Sequence, residues 1–172
     1  MRTPVLTELP PEDGLWLEID TAAQRLSVWR GREVEWSCEV STAANGTGEA
    51  EGSGATPLGW HQVRAAIGAS NPPGTVYRGR RPTGEIYSEA LAAEQPGRDW
   101  ILTRILWLSG LETGRNRGGN VDSQRRYIYL HGTPPGEPMG VPRSHGCIRL
   151  RDSELLALFE LAVPGTPVWI HD

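Results

Sequence analysis

The sequence predicts a mainly β domain with one principal helix, and three observations carry that expectation. Short stretches alternate apolar and polar residues with period two, as at 15–19 and 34–40. Gly and Pro, 21 and 14 of the 172 residues, recur between those stretches and mark turns. Only residues 152–163 sustain helical spacing of apolar positions.

The elements follow in order. Residues 1–13 are polar and Pro-rich and read as an extension before a domain at 14–172. Strands at 15–19 and 26–29, joined by Thr-Ala-Ala-Gln, read as a hairpin. Gly31-Arg32 turns the chain into a third strand at 34–40, where Cys38 reads as core. Residues 43–57, rich in Gly, Ala, Ser and Thr, read as a mobile loop. A strand follows at 60–67, then loop over 68–84, where Arg78, Arg80 and Arg81 read as solvated, with contact to an anionic substrate as the alternative. Arg125 and Arg126 read the same way. Ser88 is placed to cap a short helix through Glu94 that Pro96-Gly97 stops. The apolar run 100–108 reads as a central strand. Residues 127–131 alternate and stop at Gly132. A Pro-rich loop spans 134–142, and 147–150 is a short strand. Asp152 reads as the N-cap of the long helix, Pro164-Gly165 ends it, and 167–170 closes the chain as a strand. The seven Trp read mostly as core, with Trp60 or Trp107 able to line a cleft.

Composition excludes several classes. All 17 basic residues are Arg, which removes Walker phosphate loops, Schiff-base lysines and Ser-Lys dyads. The formal net charge of -4 gives no general case for nucleic-acid binding. No apolar run approaches the length of a membrane-spanning helix. The first residues lack the basic start, apolar stretch and cleavage site of a secretory signal. With Met1 as native start the expected location is the cytoplasm, and with another start the periplasm. Two cysteines, Cys38 and Cys147, are too few for a disulfide framework.

The informative stretch is His131-Gly132-Thr133 followed by Ser144-His145-Gly146-Cys147-Ile148-Arg149. A thiol with a nearby imidazole can lose its proton, and guanidinium charge favours the anion. His131 ends one strand and Cys147 starts another, both rigid mounts. Gly146 lacks a Cβ, so the amides of Gly146 and Cys147 are candidate oxyanion donors. Two blander readings stand beside this one. Cys147 could be a buried structural thiol, or Cys147, His131 and His145 could bind zinc.

These motifs, with Ile19-Asp20, 24–28, Val40-Ser41-Thr42 and 56–60 upstream, resemble the L,D-transpeptidase family, the YkuD-fold cysteine enzymes of peptidoglycan metabolism. The resemblance covers about residues 14–172. It implies a YkuD-like β-sandwich of mixed sheets. It implies Cys147 as nucleophile, His131 as general base and the Gly132 carbonyl as the group orienting the imidazole. His145 and Gly146 shape the catalytic turn. Arg149, Ser144, Tyr129 and Thr133 become candidate substrate contacts, with Arg149 either pairing with a substrate carboxylate or bracing the loop. No metal or cofactor is implied. The implied substrates are peptidoglycan stem tetrapeptides cleaved before terminal D-Ala through a thioester, and carbapenem β-lactams are implied covalent inhibitors. The missing export signal favours hydrolysis, an L,D-carboxypeptidase of peptidoglycan recycling, over crosslinking or D-amino-acid exchange. A non-catalytic wall-peptide binding module is the reading from another class.

Overall fold

The computed structural model describes residues 2–172; Met1, the first residue of the predicted extension, lies outside them. In chain order the strands are β1 (Leu15–Asp20), β2 (Arg25–Arg30), β3 (Glu33–Glu39), β4 (Gly59–Ile67), β5 (Thr75–Arg78), β6 (Arg81–Ile86), β7 (Leu102–Gly110), β8 (Tyr129–Gly132), β9 (Ile148–Leu150) and β10 (Pro167–His171). Helix α1 is Glu89–Glu94 and α2 is Asp152–Leu161.

The strands make one mixed sheet that curls back on itself. Its main path runs β3-β2-β1-β10-β4-β7, and β7 then carries both β8 and the β5–β6 hairpin. β9 adds to β8 in parallel, as β10 does to β1, and the remaining pairs are antiparallel. The ends of the path meet where Ser41, just past β3, exchanges backbone hydrogen bonds with Arg149 of β9 at 3.0 and 2.9 Å. This closure makes a β-sandwich from a single sheet. Alternation decides what lies inside. Leu17, Ile19, Leu26 and Val28 are fully buried and meet Leu106, Leu130, Ile148, Leu150 and the α2 residues Leu155 and Leu158. Each such side chain contributes roughly 1.5–3 kcal/mol by leaving water.

Several predicted boundaries differ: β7, β8 and β9 begin at Leu102, Tyr129 and Ile148 rather than at 100, 127 and 147, so Cys147 lies just before its strand. Residues 75–86 are a hairpin, not loop, because Pro82 and the Arg-rich turn mask the strand pattern; β6 is an edge strand, where a missing ladder donor is tolerated. Residues 43–57 are irregular but tied down, with Ala44 N donating to Ser144 O (2.9 Å) and Thr56 Oγ1 to Gly146 O (3.0 Å). Asp152 is the first helical residue of α2 rather than its cap, because its carboxylate is drawn sideways to accept the Thr103 hydroxyl at 2.6 Å. The helix ends at Leu161, leaving Val163 exposed. Ser88 caps α1 as expected, its hydroxyl accepting from Leu91 N at 3.0 Å. Most tryptophans are core as expected, Trp16 and Trp100 being buried and Trp36 and Trp107 packed against buried clusters. Trp16, Trp29, Trp60 and Trp169 are neighbouring rings 5.1–5.7 Å apart, and Trp60 does not line the cavity that holds Cys147.

His61 projects inward from β4 and is fully buried, with Nδ1 donating to Gly59 O (3.0 Å) and Nε2 accepting from Ser123 Oγ (2.8 Å). Burial lowers its pKa from 6.5 to about 4. As pH falls through that window the unfolded chain binds a proton that the folded chain refuses, so stability falls by about 3 kcal/mol. Urea midpoints measured at pH 7, 5.5 and 4.5 are expected to drop stepwise. His61→Gln, although less stable at pH 7, is expected to show a flatter dependence. An equally steep fall in that variant would assign the effect elsewhere.

Candidate active site

The register between β8 and β9 builds the site. His131 lies opposite Arg149, and Leu130 opposite Ile148. Paired residues of parallel strands share a face, and each second residue returns to it. Tyr129, His131 and Arg149 therefore project from one face, with Cys147 at the mouth of β9 on the same side. Leu130, Ile148 and Leu150 point into the core. The register of β7 adds Ile105 opposite His131 and Trp107 opposite Tyr129. Tyr77, Ile105 and Tyr129 form a small apolar cluster against which Cys147 and Trp107 pack. Above this floor lies a cavity of about 500 Å3 whose lining includes Cys147, His131, Tyr129, His145, Ser144 and Arg149.

His131 is 1% exposed. Its Nδ1 lies 2.7 Å from Gly132 O. A carbonyl only accepts, so Nδ1 carries the proton and Nε2 keeps a lone pair. Burial holds the imidazole below its usual pKa, so the ring is neutral and basic at pH 7. Gly132 must be glycine for a packing reason. A Cβ there would stand 2.2 Å from Asp152 Oδ1 and 2.7 Å from Leu102 O.

Cys147 is half-buried. Its sulfur accepts from Tyr129 N and donates to Tyr127 O, both at 3.3 Å. Among the described residues no hydrogen bond joins this sulfur to His131. The burial of the thiol pushes its pKa up to about 12, outweighing the Tyr129 amide and the charges of Arg149 and Arg126. Burial therefore favours the thiol over the thiolate at rest, and a thiol and a neutral imidazole face one cavity.

The remaining predicted residues divide. Ser144 Oγ donates to Cys147 O at 2.5 Å and accepts from Gly146 N at 3.3 Å, so it locks the turn. The Gly146 amide is thereby engaged, and of the two predicted oxyanion donors only the Cys147 amide has no partner among the described residues. Gly146 has φ +129°, a conformation that favours glycine, and packs against Ala55 O. Arg149 braces rather than waits, donating to Asp99 at 3.1 Å and pairing with Glu137 at 3.6 Å. His145 is largely exposed, with Nδ1 3.3 Å from Asp99. Thr133 is turned away and lines a separate cavity with Pro134 and Asp152. Among the described residues no three or more His, Cys, Asp and Glu side chains gather as a metal-ligand set.

Sequence reasoning missed Asp99 and gave Arg80 and Arg126 a role toward an anionic substrate only as the alternative to solvation. Asp99 joins His145 and Arg149 at the cavity wall. Arg80 and Arg126, read as solvated, both line the cavity. Arg80 is a non-glycine residue at positive φ (65°), and Tyr127 (57°) is another. Such conformations cost about 1 kcal/mol or more and persist where surroundings enforce them. Gly79-Arg80 between two alternating stretches was the available signal, since a two-residue hairpin turn projects its second residue outward.

Residues 14–170 match the family model of YkuD, the L,D-transpeptidase catalytic domain. No protein of curated function matches the sequence. Solved structures of similar fold include an Enterococcus faecium L,D-transpeptidase (14% identity, 92% of this chain and 50% of that one, TM-score 0.56). Another is the L,D-transpeptidase of Xylanimonas cellulosilytica (19%, 99% and 64%, TM-score 0.55). A third is an LD transpeptidase in complex with imipenem (18%, 92% and 59%, TM-score 0.54). The chain spans about half to two-thirds of the length of these proteins.

Proposed function

The chain belongs to the YkuD family of L,D-transpeptidase catalytic domains, and from that premise we propose that it cleaves peptidoglycan stem tetrapeptides by cysteine acyl transfer. The observation that carries this reading is the shared cavity of Cys147 and His131, with Nδ1 held by Gly132 O and Nε2 left as the base. In the proposed first step Nε2 takes the thiol proton as sulfur bonds to the carbonyl before terminal D-Ala. The carbonyl pair moves onto oxygen, near the Cys147 amide. The tetrahedral species collapses, and His131 returns the proton to the departing amine of D-Ala. A thioester on Cys147 remains. Water, deprotonated by the same nitrogen, then releases the tripeptide and regenerates the thiol.

Hydrolysis is our reading of the second half. What supports it is a wall formed by Arg149, Asp99 and His145. These residues stand between the Cys147 cavity and a neighbouring one of about 470 Å3. A second peptide seated in that neighbour would have to part these ion pairs, and water would not. Incubation with tetrapeptide and excess D-Met decides the matter. Tripeptide alone is the expected product, and a D-Met-terminated product would replace hydrolysis by exchange. Imipenem, held by one relative of this fold, is expected to add one drug mass to the reduced protein and none to Cys147→Ala. Absence of the adduct on the parent protein would count against a reactive Cys147.

A further inference from the structure

Two cations of the Cys147 cavity make no close ion pair among the described residues, although Glu49 and Glu51 act on Arg126 from a distance. Arg126 is half-buried and donates to Gly48 O (3.2 Å), Ser53 Oγ (3.3 Å) and Ala55 O (2.6 Å), all neutral acceptors. Arg80 donates to the Tyr129 hydroxyl at 3.0 Å. Its guanidinium lies over Tyr127 (4.6 Å) and Trp107 (4.9 Å). Among the described residues neither is ion-paired, whereas Arg149 beside them has two carboxylates. Desolvating a charge without a partner is costly, and burial works against the charge of Arg126. Three of the Arg126 donors brace the 48–55 loop, which fixes the guanidinium in orientation and leaves its remaining N–H groups for a planar anion in the cavity.

The two guanidinia approach from different elements. Arg80 comes from the tip of the β5–β6 hairpin, in a strained backbone conformation, and is stacked on Tyr127. Arg126 is backed by the 48–55 loop, whose Ala55 O also borders Gly146. Cys147, bonded to Tyr127 O and preceded by Gly146, lines the same cavity as both guanidinia.

We propose that Arg80 and Arg126 are specificity-determining residues that each bind a free carboxylate of the acyl donor, one on either side of the carbonyl that Cys147 attacks. The preferred substrate class is then a dianionic peptide, with an intact carboxylate on the departing residue and a second on the acyl portion. Amidation of either would remove the charge-assisted hydrogen bonds that a carboxylate makes to a guanidinium. This rests on the acyl-transfer reading above only for the choice of peptide.

The test uses three synthetic tetrapeptides: the diacid, the terminal amide, and the peptide amidated on its acyl-side carboxylate. kcat/KM is measured with the parent protein, Arg80→Gln and Arg126→Gln, and binding is measured by calorimetry in a Cys147→Ala background. Each amidation is expected to lower kcat/KM about 10- to 100-fold, mainly through KM. Each Arg→Gln variant is expected to abolish the discrimination at one of the two carboxylates and keep it at the other. Arg80→Lys, retaining charge without the planar fork, is expected to restore part of it. Equal handling of all three peptides by the parent protein would overturn the proposal. So would an Arg→Gln variant that slows all three alike, since that pattern belongs to thiol activation or folding. If no peptide turns over but calorimetry shows acid-selective binding that the variants lose, the carboxylate pair stands and the acyl-transfer reading falls. Iodoacetamide labelling of Cys147 and thermal melting check that each variant is folded with an open site.

Discussion

His131→Gln is expected to slow acylation of Cys147 by imipenem about 1000-fold at pH 7 and to change the shape of its pH dependence. Burial holds the Cys147 thiol well above its usual range, so free thiolate is scarce at pH 7. Waiting for that fraction is slow, and a positioned base that takes the proton during attack contributes 100- to 10,000-fold. The His131 imidazole is held below its usual range by burial, so its neutral form is lost only at acidic pH. The parent rate should therefore rise through an acidic midpoint below 6.5 and stay level above it. The variant has only the spontaneous thiolate, so its rate should climb about tenfold per pH unit from 7 toward the thiol pKa. Mass-spectrometric time courses from pH 5 to 10 read both curves. A variant that keeps the parental plateau would remove His131 from the base role.

The second large effect is expected at Gly132. Gly132→Ala places a methyl 2.2 Å from Asp152 Oδ1 and 2.7 Å from Leu102 O. The Asp152 side chain can move only by giving up the Thr103 hydroxyl at 2.6 Å, and the Leu102 carbonyl belongs to the β7 backbone. Overpacking of this kind costs about 3 kcal/mol. For a chain of this length that is a loss of roughly 6–12 °C in Tm. The same shift carries Gly132 O away from His131 Nδ1, so imipenem acylation should fall at temperatures where the variant remains folded. Unchanged melting and unchanged acylation together would show that the strand accommodates the methyl and that the carbonyl does not orient the ring.

Much of the site was legible because it is written locally. Alternation at 127–131 put Tyr129 and His131 on one face, and the Ser-His-Gly-Cys turn announced a thiol held beside small and polar residues. The Ser144 hydroxyl indeed closes that turn onto Cys147 O. Arg80 was not legible as part of it. It lies 67 residues before Cys147 in a segment whose Arg and Pro content hides two short strands. Arg126 was equally opaque, since its three acceptors come from the 48–55 loop. The Asp99–Arg149 pair links a turn after α1 to β9, and nothing near either residue in sequence announces the other.

By itself the sequence determined which residues face inward along the strands that its alternation marks, where the two helices lie to within a few residues, and which thiol and imidazole are available for chemistry. These follow from nearest-neighbour pattern, because period two and period 3.6 assign faces without knowledge of any partner. Only the tertiary structure decided that β8 and β9 pair in parallel with His131 opposite Arg149, and that β5 and β6 bring Arg80 over Tyr127. It also decided that the thiol rests protonated. Register depends on how distant side chains fill shared volume, as at Gly132 against Leu102 O, and a pKa depends on what excludes water. Neither quantity exists until the chain has closed on itself.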